Sequence, residues 1–278
     1  MKILALDTSG EQASVAIVDD YITIGEISIN AKRGEKSWTH SEILTPCIDQ
    51  LFSLSGLSPQ NIDYIAYTCG PGAFTGLRIG AATAIGLAKA LNIPAIPVPT
   101  LDALAYNVAE PAIECHIVPM MDAKRGQVYF AVYSQSFERK TDYQALPIEE
   151  ALNVAIRAEM TGSETIWGTI IFVGDGADLY KDAINEIMKN NQVEVYQNLN
   201  RVRASSVAVL AMKNVKSGQF TPSNYNKVEI LYVRPPQAIR ESEKATTSLP
   251  LGSAAGVSSA GRWGLGQSPI ENEAGGNT

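Results

Sequence analysis

The segment Gly70–Gly80 constrains this chain more than any other, because four glycines and a proline fall within its eleven residues. The apolar run Tyr64–Tyr67 before it predicts a buried strand, and the small residues through Leu91 after it predict a helix. Glycine permits positive φ and the close approach of a backbone or a ligand, while Pro71 stiffens the turn. The sequence therefore predicts a strand, a glycine loop and a helix whose N-terminal amides can hold an anion. A tight connection that binds nothing explains the same residues.

A second candidate phosphate-facing turn lies near the N-terminus. Lys2–Leu6 predicts a strand, and Ala13–Val18 predicts the strand that returns after a polar turn. The turn opens with Asp7, Thr8 and Ser9. Hydroxyls and amides can contact phosphate oxygens, and an aspartate can hold the cation or a water. A turn stabilised by its own Asp and Ser side chains accounts for the same pattern.

Three threonines are predicted to begin helices. Thr39 and Glu42 match a capping box, with Thr39 as the N-cap. Thr75 is predicted to cap the helix after the glycine loop, and Thr100 is predicted to cap the next helix. The remaining predicted strands and helices are Tyr21–Ile29, Ile93–Val98, Pro147–Glu159, Ile170–Val173, Asp178–Met188, Val193–Tyr196 and Ser205–Val215.

The second half of the chain repeats the way the first half begins. An apolar strand ends in Asp122, a charged turn follows, and Val128–Tyr133 returns as a strand, which indicates a duplicated fold. After the strand Ile170–Val173, a glycine-rich turn is again able to face a nucleotide, and a plain strand-to-helix turn is equally consistent. The candidate nucleotide- or phosphate-facing residues are Asp7, Thr8, Ser9, Gly70, Gly72, Gly174 and Asp175.

Metal or nucleophile chemistry has little support in the sequence. His40 stands at the start of a predicted helix, but a metal-binding helix needs a second ligand four residues on, where Leu44 stands. His116 lies in an apolar strand and is predicted to pack there. A plausible Ser, His and Asp set for a serine protease is also missing. We therefore predict no catalytic residue and no metal site.

Composition limits the partners and the location of the chain. It has 278 residues, 45% of them apolar, and a net charge of −7, which argues against a protein held to nucleic acid by its own basic face. Cys47, Cys69 and Cys115 are far apart, so they are predicted to be reduced thiols in a cytoplasmic chain. We predict no signal peptide and no membrane association, because no apolar run approaches the length of a span.

Three regions are predicted. Residues 1–100 form a first lobe with dimerisation helices, and residues 101–236 form a second lobe whose last helix, about 205–217, is able to pack back on the first. Residues 237–278 are predicted to be a disordered tail, since they are rich in Ser, Gly and Ala without periodicity. Small residues in the first-lobe helices allow another helix to approach closely, from this chain or from a partner. The predicted dimer interface comprises Ile43, Leu44, Ile48, Leu77, Gly80, Ala81, Ala84 and Ala88.

The glycine segment resembles the signature of the TsaB family, which acts in the threonylcarbamoyl modification (t6A) of tRNA adenosine 37. Further landmarks agree in order: Ile3–Ser9, His40–Glu42, Pro99–Leu104, Met121–Arg125, Val173–Gly176 and Tyr232–Arg234. The resemblance covers Met1 to about Arg234 and leaves the tail uncovered. It implies an α/β fold of two actin-like lobes (ASKHA, ribonuclease H-like) with mixed sheets flanked by helices.

The resemblance also implies a role and partners. The related TsaD transferase carries a metal-binding His-x-x-x-His helix, and Leu44 stands where the second histidine would be. This departure favours a non-catalytic subunit that pairs with TsaD as a heterodimer and activates it. TsaE would bind the pair, tRNA would be contacted only through the complex, and the chain alone would form a homodimer. No firmly bound cofactor is expected, although ATP could bind at an interface of the complex.

Three alternatives stay open. The chain could be an actin-like ATPase or small-molecule kinase that acts alone through Asp7, Thr8 and the glycine turns. It could be an M22-like metallopeptidase homologue that uses His40. It could also be an interaction protein outside tRNA modification.

Overall fold

The computed structural model describes residues 1–30, 38–108, 115–159, 169–189, 192–220 and 228–234. The strands are β1 (Lys2–Asp7), β2 (Gln12–Asp19), β3 (Ile22–Asn30), β4 (Tyr64–Gly70), β5 (Ala95–Pro99), β6 (Cys115–Lys124), β7 (Gln127–Phe130), β8 (Tyr133–Ser134), β9 (Gln144–Pro147), β10 (Thr169–Val173) and β11 (Gln192–Val195). The helices are α1 (His40–Ser55), α2 (Phe74–Leu91), α3 (Thr100–Tyr106), α4 (Ile148–Glu159), α5 (Asp175–Leu179), α6 (Lys181–Ile187) and α7 (Ala204–Lys216). All of them belong to one compact unit, Met1–Pro236, and the predicted tail lies outside the described residues.

The two sheets share one topology. The first has the order β3-β2-β1-β4-β5, in which β1, β2 and β3 are antiparallel and β1, β4 and β5 are parallel. The second has the order β11-β10-β6-β7-β9, with β8 also paired to β6. Here β6, β7 and β9 are antiparallel, and β6, β10 and β11 are parallel. Each sheet therefore joins three antiparallel strands to two parallel ones, which confirms the predicted duplication.

Helices cover these sheets through apolar faces. Leu44 and Ile48 of α1 and Ala81 and Ala84 of α2 are buried in one cluster with side chains of β1 and β4. The α7 helix packs against β1 and β2, and α3 contacts both β4 and β6, so these two helices share a core with strands of both sheets. Apolar burial of this kind is the main force that stabilises the fold. Within the described ranges, no helix has the length and hydropathy that crossing a membrane requires.

Of the predicted helix caps, the capping box is confirmed and the cap at Thr75 is wrong. Thr39 is the N-cap of α1, and its amide donates to the Glu42 carboxylate at 2.7 Å. The N-cap of α2 is Ala73, because the Ala73 amide is held by the Ser9 carbonyl at 2.7 Å. Thr75 consequently lies inside the first turn of α2.

Two later predictions also need correction. Thr100 begins α3 after the N-cap Pro99, and its hydroxyl oxygen accepts a hydrogen bond from the Gly70 amide at 3.1 Å. The single helix predicted for residues 178–188 is two helices, because α5 starts earlier, at Asp175, and Tyr180 leaves the helical conformation (φ −108°, ψ 22°) between α5 and α6. The hydrogen bond between Gly70 and Thr100 joins residues 30 apart in sequence, so a local pattern does not predict it.

Candidate functional site

The turn after β1 is held by one buried carboxylate. Oδ1 of Asp7 accepts hydrogen bonds from the Ser9 amide (3.1 Å), the Ser9 hydroxyl (2.6 Å) and the Thr68 hydroxyl (2.8 Å). Burial raises the pKa of Asp7, and the hydrogen bonds from Ser9 and Thr68 oppose that rise. The Asp7 carboxylate is therefore engaged within the chain, through one of its two oxygens.

The glycine loop packs directly on this turn. The Thr8 hydroxyl donates to the Gly76 carbonyl at 2.7 Å. A Cβ atom placed on Gly76 would lie 2.1 Å from the Thr8 carbonyl oxygen, and one on Gly80 would lie 2.3 Å from the Thr8 hydroxyl oxygen. A Cβ on Gly72 would lie 2.5 Å from the Ser9 carbonyl oxygen. These glycines are needed because α2 approaches the β1–β2 turn too closely for any side chain.

A similar close approach occurs at the turn after β10. Gly174 has φ +121°, and a Cβ there would lie 2.1 Å from the Met120 carbonyl oxygen. Its amide donates to Oδ1 of Asn200 at 2.8 Å. The Asp122 amide donates to Oδ1 of Asp175 at 3.1 Å, and burial raises the pKa of Asp175. Both duplicated halves therefore use glycine to bring a helix onto a neighbouring strand end.

A small cavity separates the two turns. It is lined by Asp7 and Ser9 from the first turn, by Asp175 from the second, and by Asn200 and Arg201. Its water-accessible space is about 10 Å³, and one water molecule needs roughly 10–15 Å³. The space inside this cavity therefore has about the size of one water molecule.

The structure brings only part of the predicted phosphate-facing set together. Thr8 is buried beneath α2, and Gly70 packs against the carbonyl oxygen of Leu231. Asp7, Ser9 and Asp175 share the cavity described above. The nucleotide-facing role of the whole set stays a prediction.

Asn200 and Arg201 were missed by the sequence reasoning. Asn200 is 3% exposed, and its side chain is fixed by the Gly174 amide. Both residues follow a short 3-10 helix at 197–199, in a polar stretch without periodicity. No local signal in the sequence places them beside a turn some 190 residues away.

The dimer interface assigned to α1 and α2 stays a prediction, and the structure shows where its residues lie within the single chain. All eight are buried within the chain's own core, and the most exposed of the apolar side chains, Ile48, is 7% accessible. The Thr8 side chain of the β1–β2 turn fills the space beside Gly80, and the alanines of the set, Ala81, Ala84 and Ala88, pack in the core with α1 and the first sheet. A partner that docks on these helices must therefore contact their outward residues, such as Thr45, Asp49, Arg78 and Ala82.

His40 is the first residue of α1 and lies beside the start of α2, where its Cε1 atom is 3.6 Å from a Cβ placed on Gly76. Its Nε2 atom is buried and has no hydrogen-bond partner among the described residues. Across the same residues, no three His, Cys, Asp or Glu side chains come close enough to hold a metal ion. The expectation that the chain has no metal site stays a prediction.

A second polar cluster also escaped the sequence reasoning. Oδ1 of Asp102 accepts hydrogen bonds from the hydroxyls of Tyr133 (2.5 Å) and Tyr143 (2.6 Å). Burial raises the pKa of all three groups, and the guanidinium of Arg139 lies 4.0 Å from the Tyr143 ring centroid. The cluster ties α3 to the β8–β9 region, which is a structural role.

The buried Asp7 predicts a pH dependence of stability. Because its pKa is higher in the folded chain, its contribution to the free energy of unfolding is greatest below the unfolded-state pKa and falls as the pH rises through the folded-state value. Asp7→Asn keeps an oxygen for the three hydrogen bonds and removes the titration. We expect urea midpoints between pH 4 and pH 8 to fall less steeply for this variant than for the wild type. The exposed control Asp49→Asn should keep the wild-type slope, and an unchanged slope in Asp7→Asn would contradict the assignment.

Sequence comparison matches this chain to proteins of tRNA threonylcarbamoyladenosine formation. The family model "TsaD: tRNA N6-adenosine threonylcarbamoyltransferase" matches residues 34–239. The tRNA threonylcarbamoyladenosine biosynthesis protein TsaB of Bacillus subtilis is 30% identical over 188 residues, which are 68% of this chain and 77% of that protein. TsaB of Haemophilus influenzae is 36% identical over 138 residues, 47% of this chain and 53% of the relative, so that match spans about half of the relative's length.

Solved structures agree on the fold. YeaZ from Pseudomonas aeruginosa is 25% identical with a TM-score of 0.63, covering 83% of this chain and 99% of that one. Another P. aeruginosa structure, described as similar to peptidase YEAZ, is 24% identical with a TM-score of 0.65 and covers 84% and 99%. The two mixed sheets and their flanking helices thus define an α/β protein, as the sequence predicted, while the division into two actin-like lobes stays a prediction. The chain belongs to the TsaB family.

Proposed function

We propose that this chain is a non-catalytic subunit in the formation of threonylcarbamoyladenosine at tRNA position 37, and that it pairs with and activates the TsaD transferase. The observation that carries this proposal is the match to TsaB of Bacillus subtilis, which extends over 77% of that protein. The family model that matches residues 34–239 is named after the transferase itself, which is consistent with descent from a common fold.

The geometry of the turns supports a role without catalysis. The Thr8 hydroxyl and one carboxylate oxygen of Asp7, groups that an ATPase of this fold would need at the phosphates, make hydrogen bonds within the chain. The water-accessible space between the turns is about 10 Å³, which is the size of one water molecule. We propose that no residue of this chain is catalytic, that it holds no metal or firmly bound cofactor, and that any ATP binds at an interface of the complex.

The proposed partners follow from charge and from the exposed surfaces. The heterodimer with TsaD would form on the outward faces of α1 and α2, and the same faces would support a homodimer when the chain is alone. TsaE would bind the resulting pair. With a net charge of −7, this chain would meet tRNA only through the complex. We place the chain in the cytoplasm with the tRNA that the complex modifies.

The pairing is tested by size-exclusion chromatography with light scattering. The full chain is run alone, with TsaD of the same organism, and with an unrelated acidic protein of similar size as a control. We expect a dimer of the chain alone and a one-to-one complex with TsaD. Separate peaks for the chain and TsaD at micromolar concentration would contradict the proposal.

A further inference from the structure

The cavity between the turn after β1 and the turn after β10 is bordered by two carboxylates. Asp7 is 2% exposed and Asp175 is partly buried, and both residues line the cavity. Hydrogen bonds from the chain reach Oδ1 of Asp7 and Oδ1 of Asp175. In the part of the chain that the structure describes, no hydrogen bond reaches Oδ2 of either residue. Two carboxylate oxygens are therefore available as acceptors for a bound ligand.

Asn200 adds a hydrogen-bond donor at the border of the same cavity. Its Oδ1 accepts a hydrogen bond from the Gly174 amide at 2.8 Å, which fixes the orientation of the side-chain amide. Its Nδ2 is buried and has no hydrogen-bond partner among the described residues. A buried donor without a partner is costly, and the cavity is the polar space that adjoins Asn200. An acceptor bound in the cavity is the partner that Nδ2 needs.

The size of the cavity limits the ligand to one small molecule. Its water-accessible space is about 10 Å³, and one water molecule needs roughly 10–15 Å³ together with roughly two to four polar partners. A water molecule can accept a hydrogen bond from an amide and donate one to each of two carboxylates. The amide of Asn200 and the carboxylates of Asp7 and Asp175 match that set of partners.

A metal cation suits the cavity less well than a water molecule. Cations such as Mg²⁺ take oxygen ligands, and Nδ2 of Asn200 carries hydrogens and cannot act as a ligand. Arg201 also borders the cavity. Burial raises the pKa of Asp175, and the Asp122 amide and the positive charge of Arg201 oppose that rise. A positive charge thus already acts on Asp175, which favours a neutral ligand.

We infer that the cavity binds one ordered water, which accepts a hydrogen bond from Nδ2 of Asn200 and donates to Oδ2 of Asp7 and Oδ2 of Asp175, and that Asn200 is the residue that excludes a cation from this acidic space. The water links the turn after β1 in the first sheet to the turn after β10 in the second. Asn200 therefore determines which ligand the cavity accepts. The inference concerns the chain alone and does not depend on the proposed pairing with TsaD.

The substitution Asn200→Asp tests the role of Asn200, because it keeps the acceptor for the Gly174 amide and puts a carboxylate oxygen where Nδ2 stands. Together with Asp7 and Asp175, this third carboxylate suits Mn²⁺. We expect millimolar Mn²⁺ to raise the melting temperature of the full-length variant by about 3 °C or more, and that of the wild type by less than about 1 °C. The control Asn198→Asp adds the same charge at an exposed residue nearby and should respond like the wild type. Adding Asp7→Asn to Asn200→Asp should abolish the response.

A crystal structure of the wild-type chain, from crystals grown with Mn²⁺, tests the water itself and needs no variant. We expect one solvent peak about 2.7–3.2 Å from Nδ2 of Asn200 and from a carboxylate oxygen of both Asp7 and Asp175, without anomalous signal from manganese. A cavity without that peak would overturn the water site. An anomalous peak in the cavity, a wild type that Mn²⁺ stabilises as strongly as Asn200→Asp, or a folded Asn200→Asp that does not respond to Mn²⁺ would overturn the role of Asn200. None of these results bears on the chromatographic test of TsaD pairing.

Discussion

Replacing Gly76 by alanine is expected to lower the free energy of unfolding by about 3 kcal/mol, despite the better helix propensity of alanine. The reason is contact with backbone: the new Cβ would lie 2.1 Å from the Thr8 carbonyl oxygen, and the Thr8 hydroxyl already bonds the Gly76 carbonyl. The oxygen that the new Cβ would meet belongs to the backbone, so it cannot move aside as a flexible side chain could. Urea unfolding at pH 7 measures the loss, which corresponds to a melting temperature lower by about 10 °C.

The matched control lies on the same helix. Gly86 is exposed in the interior of α2, and a Cβ there meets nothing within 4 Å. Gly86→Ala should therefore raise stability by about 1 kcal/mol through helix propensity alone. Equal stabilities of Gly76→Ala and Gly86→Ala would contradict the packing of α2 on the β1–β2 turn.

The second large loss of stability is expected at Gly174, beside the second sheet. Gly174→Ala should cost about 3 kcal/mol, because it adds a Cβ 2.1 Å from the Met120 carbonyl oxygen at a residue whose φ is +121°. The Met120 carbonyl carbon, 2.9 Å from the same position, is also a backbone atom, so the strand end itself would have to move. Thermal unfolding followed by circular dichroism measures the loss.

Gly126 separates backbone strain from steric contact. It lies in the turn between β6 and β7 with φ +74°, and a Cβ there meets nothing within 4 Å. Gly126→Asn should therefore cost less than about 1 kcal/mol, since asparagine adopts the left-handed conformation readily. If Gly126→Asn and Gly174→Ala lowered the free energy of unfolding equally, contact with the Met120 carbonyl would not be the reason that position 174 requires glycine.

The local architecture of this chain could be predicted from its sequence. Apolar runs bounded by polar turns located the strands, and the Thr39–Glu42 pattern located the start of α1. The repeat of a strand, an aspartate turn and a returning strand predicted the duplication that both sheets show. These features depend on neighbours in sequence, so a local reading captures them.

What the glycines and the apolar helix faces pack against could not be predicted from the sequence in the same way. Apolar and small residues on α1 and α2 indicated a helix interface, but the structure uses Leu44, Ala81 and Ala84 to cover its own first sheet. A sequence pattern shows that a face must be buried and does not show what buries it. Asn200 reaches the cavity only through the fold, which brings residues far apart in sequence together.

The central claim, a non-catalytic subunit required by a transferase, is tested most directly by a reconstituted modification assay. TsaD, TsaE, unmodified tRNA, ATP and the threonylcarbamoyl donor system are combined with and without this chain, and t6A is quantified by mass spectrometry while ATP turnover by the chain alone is followed separately. We predict that omission lowers t6A formation at least 100-fold and that the chain alone turns over no ATP. Full t6A formation without the chain, or ATP turnover by the chain alone that is lost in Asp7→Ala, would contradict the account.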